Sequence, residues 1–366
     1  MQPLPRRGVP IPERNGGGRT PSAPDWEAIH TFLEVVRCGS FRSASEQLGL
    51  SINALRRRID ELEHQLGVTV LTRHVDGVRL TTEGDEILAA AKEMELASFG
   101  LVRARDRSVP SMAGEVKFAV TEGLGTLWIA PRLIEFQRAH PKLLVDLHCA
   151  MQSADVLRLQ ADAAVQLTKP ENPDLKVVKL GRLHSMPFAS RSYIEMYGAP
   201  KTLEDLFNHR VVLQIAEQTA MKEIYDRVAP GVPQPGFVAL RTNVSSAHIW
   251  AIAKGAGIGW APTYVHAIGG RMVPLELDLR YRFDIWLTYH SDAGRIPRVR
   301  RMIDWVIDAF DSRKFPWFRD EFIHPNDLPT EYDGAPIINL FEGFLGAGHQ
   351  SMTNDRQKKP ISSLKI

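Results

Sequence analysis

The sequence predicts an α/β multidomain protein with a mostly helical N-terminal head and a body of alternating strands and helices. Its 366 residues correspond to roughly two to three domains of about 150 residues. Hydrophobic residues make up 44% of the chain and charged residues 24%, as in soluble globular proteins, so a disordered chain, a collagen and a coiled-coil rod are excluded. Helical periodicity dominates before about residue 110, and short apolar runs alternate with helical segments after it.

Charge, cysteine content and apolar runs exclude several other classes. The formal net charge of +2 excludes a massively basic nucleic-acid coat. Cys38 and Cys149 are too few for a disulfide scaffold or a four-cysteine zinc site. No run approaches the ~18 apolar residues of a membrane helix, and the N-terminus lacks the apolar core of a secretory signal. We therefore expect a cytoplasmic protein with no membrane partner.

Changes in pattern divide the chain into five expected segments. They are a flexible N-terminal arm (1–24), a head (25–82), a linker helix (83–110), a body (111–312) and a C-terminal tail (313–366). Within the body we expect one lobe over about 114–184 plus 293–312 and a second over about 187–289.

The head carries the signals of three short helices and a hairpin. Asp25, Ser40 and Ser51 each precede a helical pattern as an N-cap. A short turn containing glycine joins the second helix to the third, as in a helix-turn-helix. Residues 68–82, centred on Asp76-Gly77, predict a two-stranded hairpin. Together these elements predict a winged helix-turn-helix.

A local excess of arginine lies on the second and third helices. Between Arg37 and Arg58 there are five arginines and one acid, Glu46. Arginines and helix N-termini bind phosphates, and arginine also reads base edges, so this charge indicates a duplex-binding face. The alternative is a solvated charge run on an ordinary helix.

The linker helix carries a narrow apolar seam. Its members recur every three or four residues: Ile87, Ala91, Met94, Ser98 and Leu101. A seam of this kind needs a partner helix, so we expect a dimer.

Strands and helices alternate beyond Gly114, which predicts a parallel sheet covered by helices. We expect strands at 116–120, 143–147, 163–167, 186–189, 211–215, 237–240, 257–261, 272–275 and 283–289. We expect helices at 129–140, 153–160, 192–196, 246–253 and 298–310.

The head resembles the DNA-binding domain of LysR-type transcriptional regulators. The resemblance rests on Gly39-Ser40-Phe41, on residues 44–48 (ASEQL), on residues 59–67 (IDELEHQLG), on the wing residue Arg73 and on residues 80–84 (LTTEG). It continues more weakly to about Phe310. The chain departs from the family at Ile52-Asn53, where Gln-Pro is usual, and at Arg56, where Ser is usual.

The resemblance implies roles for residues of the head. The implied DNA-binding residues are Ser40, Arg42, Ser51, Ile52, Asn53, Arg56, Arg57 and Arg73. The two serines would cap helices near phosphates, and Arg57 would contact the DNA backbone. Arg56 can make a bidentate contact to guanine, whereas Ile52 can only touch a thymine methyl group. The usual operator sequence is therefore not expected.

For the body, the resemblance implies a two-lobed, periplasmic-binding-protein-like effector domain with a ligand in the cleft between the lobes. The implied effector-binding residues are Thr121, Glu122, Gln214 and Asn243. Glu122 would repel an anion, which favours a cationic or neutral effector. The alternatives are that Glu122 is a simple acid at a helix start and that Thr121 is only a cap.

The resemblance implies double-stranded DNA, a small effector, further copies of the chain and RNA polymerase as partners. A dimer or tetramer would bind an interrupted dyad. No cofactor, metal or catalytic residue is expected, because the glycines at 255–259 follow a helix and open a strand, opposite to a dinucleotide loop. Cys149 lacks the second thiol that a disulfide switch in the body would need.

Two alternatives to a sequence-specific regulator stay open. One is a small-molecule-binding or interaction protein whose head binds DNA only non-specifically. The other is a partner-docking tail, whose apolar residues are Ile337, Ile338, Leu340, Phe341, Phe344 and Leu345.

Overall fold

The computed structural model describes residues 23–108, 111–215, 221–267 and 272–332. Nearly all of the expected arm, and the apolar tail residues from Ile337 onward, lie outside these residues. The chain divides into two compact units, Met1–Gly100 and Leu101–Ile366.

The first unit contains the predicted winged helix-turn-helix. Its elements are α1 (Trp26–Cys38), α2 (Phe41–Leu48), α3 (Ile52–Leu66), β1 (Leu71–His74), β2 (Gly77–Leu80) and the first part of α4 (Thr82–Ser108). The Ser40 hydroxyl accepts a hydrogen bond from the Ser43 N–H at 3.1 Å, and the Ser51 hydroxyl accepts one from the Ala54 N–H at 3.2 Å. Asp25 occupies the N-cap position of α1, but its side chain makes no capping hydrogen bond.

A small apolar core holds the three helices and the hairpin together. Its fully buried members include Phe32, Leu33, Leu55, Ile59 and Leu62. The antiparallel β1–β2 hairpin closes onto α1 at Gly77, whose φ is 140°. A Cβ at Gly77 would lie 2.3 Å from the Gly39 carbonyl oxygen, so only glycine fits there.

The apolar seam of α4 is divided between two roles. Ile87 and Ala91 pack against the core of the head, together with Leu88, and therefore need no partner helix. Met94 is 39% exposed and Leu101 is 75% exposed. The partner helix that we expected along the whole seam is therefore not needed at its first two positions.

A buried ion pair fixes α4 against α1. The Arg37 guanidinium donates to the Glu95 carboxylate at 2.5 Å, and it also pairs with Glu34 on its own helix. The Glu95 side chain is only 4% exposed. Hydrogen bonds and ion pairing with these two carboxylates raise the pKa of Arg37 against the opposing effect of burial, so the guanidinium stays charged.

The second unit is the α/β body. Its strands are β3 (Gly114–Thr121), β4 (Leu143–Ala150), β5 (Ala163–Gln166), β6 (Leu175–Ser190), β7 (Val211–Gln214), β8 (Val238–Thr242), β9 (Gly259–Pro262), β10 (Met272–Pro274) and β11 (Tyr281–His290). Its helices are α5 (Glu122–Leu124), a π-helical turn (Gly125–Ile129), α6 (Ala130–Ala139), α7 (Arg191–Tyr197), α8 (Leu203–Leu206), α9 (Met221–Val228), α10 (Gln234–Phe237), α11 (Ser245–Ala253), α12 (Tyr264–Ala267), α13 (Pro297–Ala309) and α14 (Leu328–Glu331). Short 3₁₀ turns lie at Ala293–Arg295 and Pro316–Phe318.

One mixed sheet of seven strands runs through the body instead of the expected parallel sheet. The order is β10-β6-β11-β5-β3-β4, and β9 pairs with β6. Strand β3 is parallel to β4 and β5, whereas β11 is antiparallel to β5 and β6. Strands β7 and β8 form a separate parallel pair.

Strands β6 and β11 join the two lobes, because β6 leads from β5 to the elements of lobe II and β11 leads back to α13. Strand β6 has 16 residues; residues 175–185 pair with β11, and residues 185–190 pair with β9 and β10. We use lobe I for β3, β4, β5, α6 and α13, and lobe II for β7 to β10 and α7 to α12. The sequence predicted only residues 186–189 of strand β6.

The helix expected at 153–160 is absent from this described stretch, which forms turns instead. The Asp155 carboxylate accepts hydrogen bonds from the Leu157 and Arg158 N–H groups, which favours a turn over a helix. Leu159 then adopts a left-handed φ of 56°, which ends any helical course.

The first part of the C-terminal tail belongs to the body. Trp317, Phe318 and Leu328 are buried in its main core. Residues 313–332 are therefore an integral part of the fold.

Replacing Glu95 with Ala should destabilise the head by about 2–3 kcal/mol, because it leaves the partly buried Arg37 guanidinium with one carboxylate instead of two. Amide hydrogen exchange in α1 and α3 of the full chain measures this free energy of opening.

The matched control is Glu46→Ala. Glu46 pairs with Arg42 at 3.7 Å on the exposed face of α2, so its loss should change the same opening energy by less than about 1 kcal/mol. Equal effects of the two substitutions would show that Glu95 does not fix α4.

Candidate functional site

The candidate nucleic-acid face of the head is the exposed side of α3. Asn53, Arg56 and Arg57 are exposed in its first two turns, and Ser51 caps it. Ile52 differs from its neighbours because it is half-buried and packs against the head core. Its side chain therefore holds α3 against the core, and less of its surface is exposed for contact with a thymine methyl group.

Most arginines near this face are held by exposed ion pairs. In each pair a guanidinium nitrogen lies near a carboxylate oxygen. The distances are 3.6 Å for Arg57–Glu61, 3.7 Å for Arg42–Glu46 and 3.1 Å for Arg73–Asp60. Such pairs are weak in water, so a phosphate can replace the carboxylate. Arg58 points elsewhere, because its guanidinium donates to Glu27 on α1 at 2.7 Å.

Arg56 is the exception among the five arginines between positions 37 and 58. It forms no ion pair with the described residues, and its guanidinium lies 5.9 Å from the centre of the Phe41 ring. The Arg73 guanidinium lies 5.5 Å from the same ring. The Phe41 ring thus lies beside both Arg56 of α3 and Arg73 of the wing. The sequence did not predict this role of Phe41.

The body contains a small cavity between the two lobes, of about 60 Å³. Residues from lobe I, lobe II and the connecting strands line it. They are Thr121, Gly123, Leu124, Leu127, Met151, Leu167, Leu183, Ser185, Gln214, Ser245, His248, Ile249, Trp260, Pro262, Tyr264 and Phe283. A second cavity, of about 420 Å³, shares Thr121 with it but is otherwise lined by residues of lobe I.

The structure places two of the four candidate effector residues in the interlobe cavity. Thr121 ends β3 and is buried, and its hydroxyl lies 3.5 Å from the Val165 carbonyl oxygen. Its side chain makes no capping hydrogen bond to α5, although it occupies the N-cap position. The Gln214 side-chain amide donates to the Ser245 hydroxyl at 2.7 Å. Asn243 is exposed and does not line the cavity.

Glu122 has a structural role that joins the lobes. Its carboxylate accepts hydrogen bonds from the Ser246 N–H at 3.1 Å and the Ser246 hydroxyl at 2.7 Å, at the start of α11. The Thr126 hydroxyl donates to it at 3.2 Å. The carboxylate thus satisfies a helix N-terminus, where negative charge is favoured. It does not line the cavity, so the expected repulsion of an anionic effector by Glu122 lacks support.

Sequence reasoning missed several polar groups of the cavity. Ser185, Ser245 and Tyr264 line it, and the buried Tyr264 hydroxyl has no hydrogen-bond partner among the described residues.

His248 is a neutral hydrogen-bonding group in the cavity wall. It is 2% exposed, and its Nε2 donates to the Trp260 carbonyl at 3.1 Å. Burial lowers the pKa of His248 to about 4. Nδ1 is therefore an unprotonated acceptor at neutral pH, and it has no partner within the described ranges. No described lining residue carries a charge at that pH.

A winged helix-turn-helix joined to a two-lobed ligand-binding body defines a class of regulatory proteins, and two family models match these two parts. Residues 26–85 match the bacterial regulatory helix-turn-helix protein, lysR family, and residues 110–311 match the LysR substrate binding domain. The second match covers more than half of the chain. The chain belongs to the LysR-type transcriptional regulator family.

Individual relatives are more distant. A transcriptional regulator of Xanthomonas campestris is 34% identical over 187 residues, which is 50% of this chain and about half (53%) of that relative. The probable regulator LtrA of Klebsiella pneumoniae is 24% identical and covers 76% of this chain and 92% of its own length.

Similar solved structures include AphB of Vibrio cholerae, with 18% identity and a TM-score of 0.48, covering 78% of this chain and 99% of that one. CrgA of Neisseria meningitidis has 21% identity and a TM-score of 0.47, and the match covers 78% of this chain and 98% of the CrgA chain.

Two kinds of feature are absent from the described residues. No helix there is long and apolar enough to cross a membrane. No group of three or more His, Cys, Asp or Glu side chains in the same residues is arranged to hold a metal ion.

Lowering the pH from about 6.5 to about 4 should destabilise the body by up to about 3 kcal/mol through His248. The unfolded chain binds a proton at the ordinary histidine pKa, whereas folded His248 binds one only near pH 4, so stability falls as pH drops through this window. Urea unfolding followed by tryptophan fluorescence measures the effect, because every tryptophan except Trp26 lies in the body.

His248→Gln should remove this part of the pH dependence, because Gln can still donate to the Trp260 carbonyl but does not titrate. An unchanged slope between pH 6.5 and 4 in the variant would contradict the assignment.

Proposed function

We propose that this protein is a sequence-specific DNA-binding transcriptional regulator whose body responds to a small, uncharged effector. The observation that carries the DNA-binding part is the capped helix α3, which presents Asn53, Arg56 and Arg57 together on one exposed face. A helix of this kind fits the major groove, where arginine distinguishes guanine from the other bases.

The arginines divide into two groups by their surroundings. Arg57 and Arg73 are held by exposed carboxylates that phosphates would replace, which suits backbone contacts. Arg56 forms no ion pair with the described residues and projects from the second turn of α3, where a base edge is within reach. We therefore assign base recognition to Arg56 with Asn53, and orientation on the duplex to Arg57 and Arg73.

The exposed part of α4 supports a dimer. Met94, Leu101 and Val102 are 39%, 75% and 37% exposed on this helix. A second copy of α4 is the partner that would cover them, and two heads related by a twofold axis would bind an interrupted dyad.

The chemistry of the interlobe cavity defines the effector class. Its described lining residues are uncharged and mostly apolar, and their polar groups are hydroxyls, an amide and a neutral imidazole. Burying a charged ligand there would leave its charge unpaired, which is costly. The cavity volume of about 60 Å³ favours a small effector.

Arg56→Ala should weaken binding to the preferred operator by about 1–3 kcal/mol and remove the preference at one base pair in each half-site. Equilibrium binding to duplexes that differ at single positions measures both effects at a fixed salt concentration.

Arg57→Ala is the matched control on the same helix. It should weaken binding to all duplexes alike and reduce the salt dependence by about one phosphate contact. A uniform loss with Arg56→Ala as well would make Arg56 a phosphate contact and contradict its role as a reader.

Propionamide should raise the melting temperature of the body, whereas the matched ions propionate and propylammonium should not. At ten times its dissociation constant, a ligand adds about 1.4 kcal/mol of stability. Thermal unfolding with each compound at equal ionic strength makes the comparison.

Thr121→Val keeps the shape of the cavity and removes one hydroxyl, so it should weaken propionamide binding by roughly threefold to tenfold. Stabilisation by either ion and not by the amide would contradict an uncharged effector.

A further inference from the structure

Residues 313–332, called here the clamp segment, lie across the junction of the two lobes. They follow α13 and contain the 3₁₀ turn Pro316–Phe318 and the short helix α14. The matched effector-domain model ends at residue 311, before the clamp segment begins.

The clamp segment covers an irregular point of the β6–β11 pair. The register shifts between Ile285 and Trp286, which pair with Gly181 and Lys179, and Leu180 is left without a partner in the register. A bulge of this kind bends the strand that carries it. Gly181 lies directly under the clamp, since a Cβ there would be 2.6 Å from the Phe318 carbonyl oxygen.

A network of charges fastens the clamp segment to both strands at this point. Asp320 pairs with Lys179 at 2.8 Å and with Arg182 at 3.4 Å. Asp284 on β11 pairs with the same two cations at 3.2 and 2.9 Å. The Lys179 ammonium helps to hold the pKa of Asp320 below its ordinary value. His184 Nε2 donates to the Arg319 carbonyl at 3.0 Å, further along β6.

Aromatic side chains fasten the clamp segment to lobe I. Trp128 is fully buried in the π-helical turn, and its ring meets Phe315, Trp317 and Phe318 edge-on, with centroid distances of 4.9, 5.4 and 5.0 Å. The Arg132 guanidinium lies 3.3 Å from the Trp128 ring centroid and 5.0 Å from that of Phe315.

Other clamp residues contact lobe II. The Arg280 guanidinium lies 4.3 Å from the centre of the Phe322 ring. His324 Nε2 lies 3.1 Å from the Glu276 carboxylate. Phe318 also lies beside Tyr264, with a centroid distance of 6.1 Å. Arg280 and Glu276 lie between β10 and β11, so one short segment contacts both lobes and the strands between them.

We propose that the clamp segment holds the two lobes in one relative orientation and so restricts the opening of the interlobe cavity. Rotation of the lobes requires dihedral changes where β6 crosses between them. Such a rotation would break the Asp320 network or separate Phe322 from Arg280, because Asp320 pairs with β6 whereas Arg280 lies between β10 and β11. The clamp thereby limits the cavity to small ligands.

The test measures the distance between the lobes in the full chain without DNA or effector. Spin labels at Glu135→Cys in α6 and Glu195→Cys in α7, both exposed positions, report one lobe each after Cys38→Ala and Cys149→Ser replacement. Labelled chains are diluted into unlabelled protein, and the label separation is read by double electron–electron resonance. The parent should give one narrow distribution.

Two variants loosen the clamp by different routes. Asp320→Asn combined with Phe322→Ala removes the clamp segment's own charge from the network and its ring from Arg280, and Gly181→Ala pushes the Phe318 carbonyl away. Both should lose the narrow peak and gain longer distances. Glu331→Gln is the control, because it removes only the 2.9 Å pair with Arg319 inside the clamp segment, and it should match the parent.

Superimposable distributions for the parent and both loosened variants, with folding confirmed by circular dichroism, would overturn the proposal. Broadening in the Glu331→Gln control to the same extent would also overturn it. Neither result bears on DNA binding, so failure of the clamp is distinguishable from failure of the proposed function.

Discussion

The antiparallel pairing of β6 with β11 is the constraint on which the body depends. This pair carries β5, β3 and β4 on one side and β9 and β10 on the other, so both lobes share one sheet. A bulge opposite Ile285 and Trp286 interrupts the pairing, and the clamp segment is packed over that point. The β6–β11 pair therefore connects the sheet, the interlobe cavity and the clamp segment.

The head depends on a different interaction, the hydrogen bonding of free backbone N–H groups at the starts of its helices. Ser40 and Ser51 cap α2 and α3, and Leu55, Ile59 and Leu62 turn the opposite side of α3 into the core. Asn53, Arg56 and Arg57 are left exposed by this arrangement. The same physical rule operates in the body, where Glu122 satisfies the start of α11. In that case the group that completes the helix lies 124 residues away in sequence.

These cases show why the head could be predicted from sequence and parts of the body could not. Caps, glycine stops and apolar spacing are local signals, and they gave α1 to α3 and the hairpin with nearly correct bounds. Strand β6 was mostly missed because Lys179, Gly181 and Arg182 interrupt its apolar pattern. The charges of Lys179 and Arg182 are paired by Asp284 and Asp320, which lie far away in the chain. Likewise Thr121 and Gln214 were found from strand ends, whereas Tyr264 and His248 reach the cavity through long-range packing.

The central claim is that helix α3 recognises base sequence. Selection of bound duplexes from a random pool tests this claim most directly. Full-length protein is equilibrated with the pool at fixed salt, and the retained duplexes are sequenced. The account predicts an enriched interrupted palindrome, with guanine at the position in each half-site that Arg56→Ala makes degenerate. Salt-sensitive retention with no enriched sequence would contradict it and leave a head that binds DNA only non-specifically.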